Sequence, residues 1–196
     1  MRATLNTCLL MMTPLLASCM TVLSTPLPSA AQAPSTPPIE QAVISSPSGN
    51  LTFLLETEDG RLTWQADWRG ETIIEPSALG LAFRSGRDLV DDFQIVSVAQ
   101  STADETWEQP WGERQYVREY HNKIIAEIEF SDGSPALSLE ARVFDDGLGF
   151  RYVVPDTGAR EITDELTEFR IDPEAKTWWI PAAGWNRYEE LYQETP

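Results

Sequence analysis

Leu51-Thr52-Phe53-Leu54-Leu55-Glu56-Thr57-Glu58-Asp59-Gly60-Arg61-Leu62-Thr63-Trp64-Gln65-Ala66-Asp67-Trp68 is the stretch that decides the fold. Leu51, Phe53 and Leu55 recur at every second position, and so do Leu62, Trp64, Ala66 and Trp68. Successive side chains of a strand point to opposite faces, so a period of two marks a strand with one buried face. Between the runs, Glu58-Asp59-Gly60 supplies a turn containing a residue that accepts positive φ. The stretch therefore predicts a β-hairpin.

The same grammar continues outward. Ile73-Ile74 runs into a break at Pro76, and Leu79, Leu81 and Phe83 alternate again up to Ser85-Gly86. Phe93 to Val98 reads as a further strand. Ile124, Ala126, Ile128 and Phe130 face one way, while Ile125, Glu127 and Glu129 face the other. Asp132-Gly133-Ser134-Pro135 turns the chain into Leu137, Leu139, Ala141 and Val143. Asp145-Asp146-Gly147 turns it once more, into Phe150, Tyr152 and Val154. Ile162, Leu166 and Phe169 show helical spacing over a stretch too short to assign. One-sided alternation joined by tight turns means antiparallel sheets with one face on a core, so the fold class is all-β, an antiparallel β-sandwich.

Composition narrows the function. The 196 residues suit one compact domain, and 42% hydrophobic residues with seven Trp can build its core. Fourteen Lys and Arg stand against 31 Asp and Glu, a formal net charge of −17. A nucleic-acid binder needs a basic face to displace counterions, and an anionic lipid surface needs the same, so both are disfavoured.

The N-terminus reads as an export address. Arg2 is the only charge in residues 1–33, and an apolar run from Cys8 through Ala17 follows it. That layout matches a secretory leader and is too short and interrupted for a typical membrane span. Leu16-Ala17-Ser18-Cys19 resembles a bacterial lipobox, which would make Cys19 the lipidated first residue. Ala31-Gln32-Ala33 or Ser29-Ala30-Ala31 offers the alternative small-residue cleavage site. Export to the periplasm is expected under either reading, with an outer-membrane lipoprotein under the first. Thr25 to Pro38 is rich in Pro, Ser, Thr and Ala, a spacer composition. The domain expectation is a leader and spacer start over 1–33, a flexible linker over 34–45 and a sandwich over 46–196. Both cysteines, Cys8 and Cys19, lie in the leader, which leaves the sandwich without thiol or disulfide chemistry.

Several chemistries are excluded. His121 is the only histidine, so a three-histidine zinc site cannot form. There is no nucleophile-elbow motif, no glycine-rich phosphate loop and no EF-hand loop. Asp145-Asp146-Gly147 reads as a hairpin turn, and His121 as a structural or surface residue. Acid pairs such as Asp91-Asp92 and Glu189-Glu190 read as solvated faces, and none stands out as a nucleophile and acid at a defined separation. Trp107, Trp111, Trp178, Trp179 and Trp185 fall near loop-like segments. Indoles stack on the apolar C–H faces of sugars and carboxylates take their hydroxyls, so an acidic, Trp-rich, exported β-domain fits carbohydrate handling. The competing reading places these indoles in the core.

A set of short motifs points further. Ser46-Pro47-Ser48-Gly49-Asn50-Leu51, the hairpin through Trp68-Arg69-Gly70-Glu71, and Ile74-Glu75-Pro76-Ser77-Ala78-Leu79-Gly80-Leu81 come first. Trp111-Gly112-Glu113 with Val117-Arg118-Glu119-Tyr120 follows, then Arg142-Val143-Phe144-Asp145-Asp146-Gly147-Leu148-Gly149-Phe150-Arg151-Tyr152. Trp179-Ile180-Pro181 and Tyr188-Glu189 complete the series. In order and spacing, residues 46–196 resemble the N-terminal domain of glycoside hydrolase family 97.

That resemblance implies a galactose-mutarotase-like super-sandwich, here partial, from exported bacterial α-glucosidases or α-galactosidases. In such enzymes the sandwich packs on a (β/α)8 barrel that carries the catalytic residues, and it contributes a glutamate to a calcium site beside the sugar. By position that glutamate resembles Glu189, with Glu190 the near alternative, and Trp185, Glu189 and Glu190 are the substrate-binding candidates. These 196 residues do not include the barrel the resemblance implies, so no catalytic residue carries over to them. The expectation is a non-catalytic part of the enzyme, whose partners are a barrel supplied elsewhere and, through it, an α-glucoside or α-galactoside. One glutamate cannot satisfy the six to eight oxygens calcium takes, so little stable calcium binding by this chain alone is expected. Uncovered sheet edges imply aggregation or an obligate partner. The rival expectations are a stand-alone carbohydrate-binding lipoprotein and a nonfunctional gene fragment. Mass spectrometry of the exported protein should find a lipid-modified Cys19 as its first residue; an unmodified terminus near Gln32 or Pro34 would contradict the lipobox reading.

Overall fold

The computed structural model describes Pro37 and residues 39–155, 158–181 and 190–195. Every regular element among the described residues is a strand. Strands β1 (Gln41–Ser45), β2 (Leu51–Glu58), β3 (Arg61–Trp68) and β4 (Glu71–Ala78) form one antiparallel sheet in that order. Strands β6 (Phe93–Glu108), β7 (Tyr116–Phe130), β8 (Pro135–Val143) and β9 (Leu148–Val153) form the other. The short strand β5 (Leu81–Phe83), between the two sheets in sequence, pairs with β10 (Ile162–Glu165), and β11 (Thr177–Trp179) pairs with β12 (Gln193–Thr195), these last three all following β9.

The deciding hairpin forms as its alternation predicts. Leu51 faces Trp68 and Glu58 faces Arg61 across it, and Asp59 (φ 49°) and Gly60 (φ 75°) form the two-residue turn. Positive φ at both positions matches the turn to the right-handed strand twist. Leu51, Phe53, Leu55, Leu62, Trp64 and Ala66 all point inward and are buried. From the second sheet Ile124, Ala126, Ile128, Leu137, Leu139, Ala141 and Val143 join the same core cluster. The two inner faces meet at Phe150 of β9, whose ring lies 6.2 Å from Phe53 and 4.9 Å from Trp64. One set of edges is tied by Asn122 Nδ2, which donates to the Ser45 carbonyl at 2.8 Å, and by Gln100 Nε2, which donates to Val43 O at 2.8 Å.

On the opposite side, the segment from Ile162 to Arg170 runs against β4 and β5. Leu166 N donates to Gly80 O at 3.0 Å, Glu168 N to Ala78 O at 2.9 Å, and Arg170 N to the Ser77 hydroxyl at 2.9 Å. Trp64 Nε1 donates to the Glu168 carbonyl at 3.0 Å, so a core indole anchors this strap. Gly80 is required by contact: a Cβ there would sit 2.8 Å from the Leu89 carbonyl.

Four features depart from the sequence expectation. β1 begins at Gln41, inside the 34–45 span assigned to the linker, because Ala42 and Ile44 are buried partners of the core. β4 runs through Pro76 where a break was expected. It is an edge strand with register shifts opposite Trp64 and Ala66, the setting in which a strand tolerates proline. The ambiguous stretch at Ile162 is the exposed strand β10, with no helical turn. Strands β6 and β7 also continue far past the expected Phe93–Val98 and Ile124–Phe130 runs. β8 pairs with β7 only as far as Asn122, so beyond it β6 and β7 form a two-stranded arm, Trp107 opposite Val117 and Glu108 opposite Tyr116.

Phe53 is fully buried between the sheets. Phe53→Ala should lower unfolding stability by about 3–5 kcal/mol, read as a fall in the urea midpoint. A loss below about 1 kcal/mol would mean that the sheets do not share a packed core.

Candidate functional site

The β8–β9 hairpin, built by the motif from Arg142 to Tyr152, places inward and outward residues on distinct duties. Leu148, Phe150 and Tyr152 pack against the core. Outward, Glu140 stands directly opposite Arg151, and Arg142 opposite Gly149. Arg151 grips Glu140 through Nη2 at 2.6 Å and Nε at 3.1 Å. Arg142 reaches Glu140 at 3.4 Å and donates through Nη1 to Glu119 at 2.7 Å. These arginines cover the Glu140 carboxylate, which is only 10% exposed on the outer face of the sheet. The Arg151 hydrogen bonds hold its carboxyl below the ordinary glutamate range, against the opposing effect of burial, with Arg142 and Lys123 assisting.

His121 lies under the same network. It is 3% exposed, its ring centroid is 4.8 Å from that of Phe144, and Nδ1 is 3.5 Å from Glu119 Oε1. Nδ1 has no hydrogen-bond partner among the described residues. The residue is thus packed rather than presented to solvent. Asp145 does more than turn the hairpin: its Oδ1 accepts the Ser48 N–H at 2.8 Å, linking the β8–β9 turn to the β1–β2 loop. That hydrogen bond holds the Asp145 carboxyl below its ordinary range.

The indoles divide sharply. Trp64 is 2% exposed, whereas Trp107 (47%) and Trp111 (84%) lie on the β6–β7 arm, and Trp178 (61%) and Trp179 (44%) lie in β11. The core reading therefore fails for these four, Trp185 lies outside the described residues, and Trp64, on the inward face of the deciding hairpin, is a core residue. On the arm, Arg118 makes a two-pronged contact with Asp104 (2.7 and 2.8 Å) and lies 4.7 Å from the Tyr120 ring centroid. β11 and β12 bring Lys176 Nζ to 2.7 Å from Glu194. Glu190, just before β12, is exposed. Trp185 and Glu189, the other substrate and calcium candidates, and Cys19, the lipidation candidate, lie outside the described residues. Among the described residues no three His, Cys, Asp or Glu side chains gather as a metal site.

Two antiparallel sheets around one core, extended by an aromatic arm, define a β-sandwich module. Residues 44–196 match the family model described as Glycosyl-hydrolase 97 N-terminal, and the chain belongs to that family. A "Probable retaining alpha-galactosidase" of Streptomyces bingchenggensis is 30% identical over 137 residues, covering 68% of this chain and 20% of the relative. The "Retaining alpha-galactosidase" of Bacteroides thetaiotaomicron is 21% identical over 130 residues, 66% of this chain and 19% of its own. A solved Glycoside Hydrolase Family 97 enzyme in complex with acarbose, from Pseudoalteromonas sp. strain K8, superposes with a TM-score of 0.73 at 38% identity. That superposition covers 79% of this chain and 24% of the enzyme. The chain thus spans about a fifth of the curated relatives' length and a quarter of the solved enzyme's.

The Glu140 clamp has a pH consequence. Folded Glu140 stays ionised to lower pH than in the unfolded chain, so its stabilisation is present above the unfolded pKa and is lost as pH falls through the folded one. The wild-type urea midpoint should drop on going from about pH 5 to about pH 3, and the drop should be smaller in Glu140→Gln. Identical pH profiles would show that the clamp carries no linked stability.

Proposed function

We propose that this chain is the non-catalytic N-terminal sandwich part of a family-97-type α-glycosidase, exported and periplasmic, that packs on a (β/α)8 barrel and helps frame its sugar and calcium site. The family match over residues 44–196, together with the 38% identity to a solved family enzyme, is the observation that supports it. The names of the curated relatives favour an α-galactoside as the substrate class, and the acarbose complex keeps an α-glucoside open. Glu189 is the proposed calcium-binding residue, with Glu190 its neighbour and Trp185 beside the sugar. Because calcium takes six to eight oxygens, the remainder of its shell comes from the barrel. Cys19 is the proposed lipid-anchor residue, which would hold the module at a membrane through the Pro-rich spacer.

The surface fits a docking role. A groove of about 430 Å³ between Trp68, Ile73, Leu148 and Phe169 is mainly apolar, and Ile73 and Phe169 are 46% and 63% exposed. Apolar surface of this kind is typical of a face covered in a larger assembly.

Purified chain should hydrolyse aryl α-galactosides and α-glucosides no faster than buffer. Co-expressed with a family-97 barrel lacking its own N-terminal domain, it should co-purify and support calcium-dependent hydrolysis, and Glu189→Gln should raise the calcium concentration required. Turnover by the chain alone, or failure of the pair to associate, would reject the assignment.

A further inference from the structure

The outer face of β8 and β9 carries an open cleft of about 430 Å³, lined by Glu140, Arg142, Phe144, Gly149, Phe150 and Arg151. We propose that this cleft is a second sugar site, belonging to the sandwich itself, that takes a neutral pyranose ring. The proposal is separate from the barrel-framing role and does not use Trp185, Glu189 or Glu190.

Four observations carry it. The first is fixed polar geometry. Arg151 uses Nε and Nη2 on Glu140, whose two oxygens already accept from Arg151 and Arg142, and among the described residues the Arg151 Nη1 donors have no partner and are left for a ligand. A sugar hydroxyl oxygen can accept from the Nη1 donors of a guanidinium held in this way. The clamp also settles their orientation before any ligand arrives, which lowers the ordering cost of binding.

The second is charge. Glu119 and Glu140 are paired with Arg142 and Arg151, and with Lys123 opposite Arg142 the network carries one excess positive charge on a chain of net charge −17. Phosphate or sulfate would find the guanidiniums already paired and the surrounding field repulsive. A neutral polyhydroxyl ligand meets neither obstacle.

The third is the wall. The half-buried Phe144 ring lines the cleft and is backed by His121 at 4.8 Å, a rigid apolar surface for the C–H face of a pyranose.

The fourth is the floor. Gly149 faces outward opposite Arg142, and a Cβ built on it meets nothing within 4 Å. Its φ lies outside the left-handed region, so neither conformation nor packing within the described chain calls for glycine there. Glycine within a strand weakens it and often marks a place where another body approaches closely. At this position its bare backbone opens the cleft between Arg142 and Arg151.

The same glycine gives the test. Gly149→Val puts a side chain into the cleft without a clash in the fold, and a β-branched residue suits a strand. Wild-type chain should show saturable ¹H–¹⁵N shift changes on titration with galactose, maltose or both, centred on β8 and β9. Gly149→Val should keep its thermal midpoint and near-UV spectrum but weaken binding by about tenfold or more, a loss of about 1.4 kcal/mol. Arg151→Lys keeps the charge beside Glu140 but loses the planar fork, and should also weaken binding. Trp111→Ala, on the arm, should leave it unchanged. The proposal is overturned by no saturable response in the wild type, by undiminished binding in Gly149→Val, by loss of binding in Trp111→Ala, or by saturation with inorganic phosphate and not with sugar.

Discussion

An indole laid between two sheets is the contact on which the rest of the architecture depends. Trp64 lies against Phe53 on its own sheet, meets Phe150 of the facing sheet edge-on at 4.9 Å, and meets Phe169 of the strap at 5.2 Å. Its body belongs in the core, but its N–H must find an acceptor once buried. The Glu168 carbonyl supplies one at 3.0 Å, so satisfying a core donor also fixes the segment from Ile162 to Arg170 along the β4 and β5 edge. Neither sheet could bury its inner face alone, and the Trp64 donor adds a core anchor to the backbone hydrogen bonds that already hold the strap along β4 and β5. Sheet, facing sheet and strap are therefore coupled through a single side chain.

What was legible in the sequence follows from where burial is one-sided. The Leu51–Trp68 hairpin and the β7–β9 runs expose one face to core and one to water, and their period of two reads directly into register. The β6–β7 arm was missed because Ser101 to Glu108 is exposed on nearly every side, so alternation carries no hydrophobic signal there. β10 is four exposed residues paired across a register shift, too little pattern to separate strand from helix. Pro76 looked like a break because the sequence does not announce which strand lies at the edge.

The site was legible in part. The motif from Arg142 to Tyr152 stood out, and its Asp145-Asp146-Gly147 turn formed where expected, with Phe144 N donating to Gly147 O at 2.8 Å. The Glu140 clamp did not stand out. Alternation assigns Glu140 to the outer face, which is correct, yet it is buried there because Arg151 from the next strand covers it. Only the cross-strand register makes those two residues partners, and register belongs to the pairing of strands rather than to either run. The exposed indoles likewise needed coordinates, since composition alone cannot separate Trp64 from Trp111.

Burial and exposure of aromatics together divide the chain into two mechanical parts. The sandwich holds its rings in an interior where each gains contacts on several sides. The arm has no such interior, and a two-stranded ribbon is marginal in water unless something else supports it. Cross-strand pairing supplies part of that support: Asp104 stands opposite Tyr120, and Arg118 ties to Asp104 while lying over the Tyr120 ring. Contacts of this exposed kind are individually weak, so the arm's order must come chiefly from its continuity with the buried half of β6 and β7. The consequence is a graded structure, stiff where β8 flanks β7 and more yielding toward Trp111. A ligand needing preorganised polar groups is served by the stiff part. That is why the clamp on β8 and β9, rather than the aromatic tip, is the place where this sandwich can bind with defined geometry.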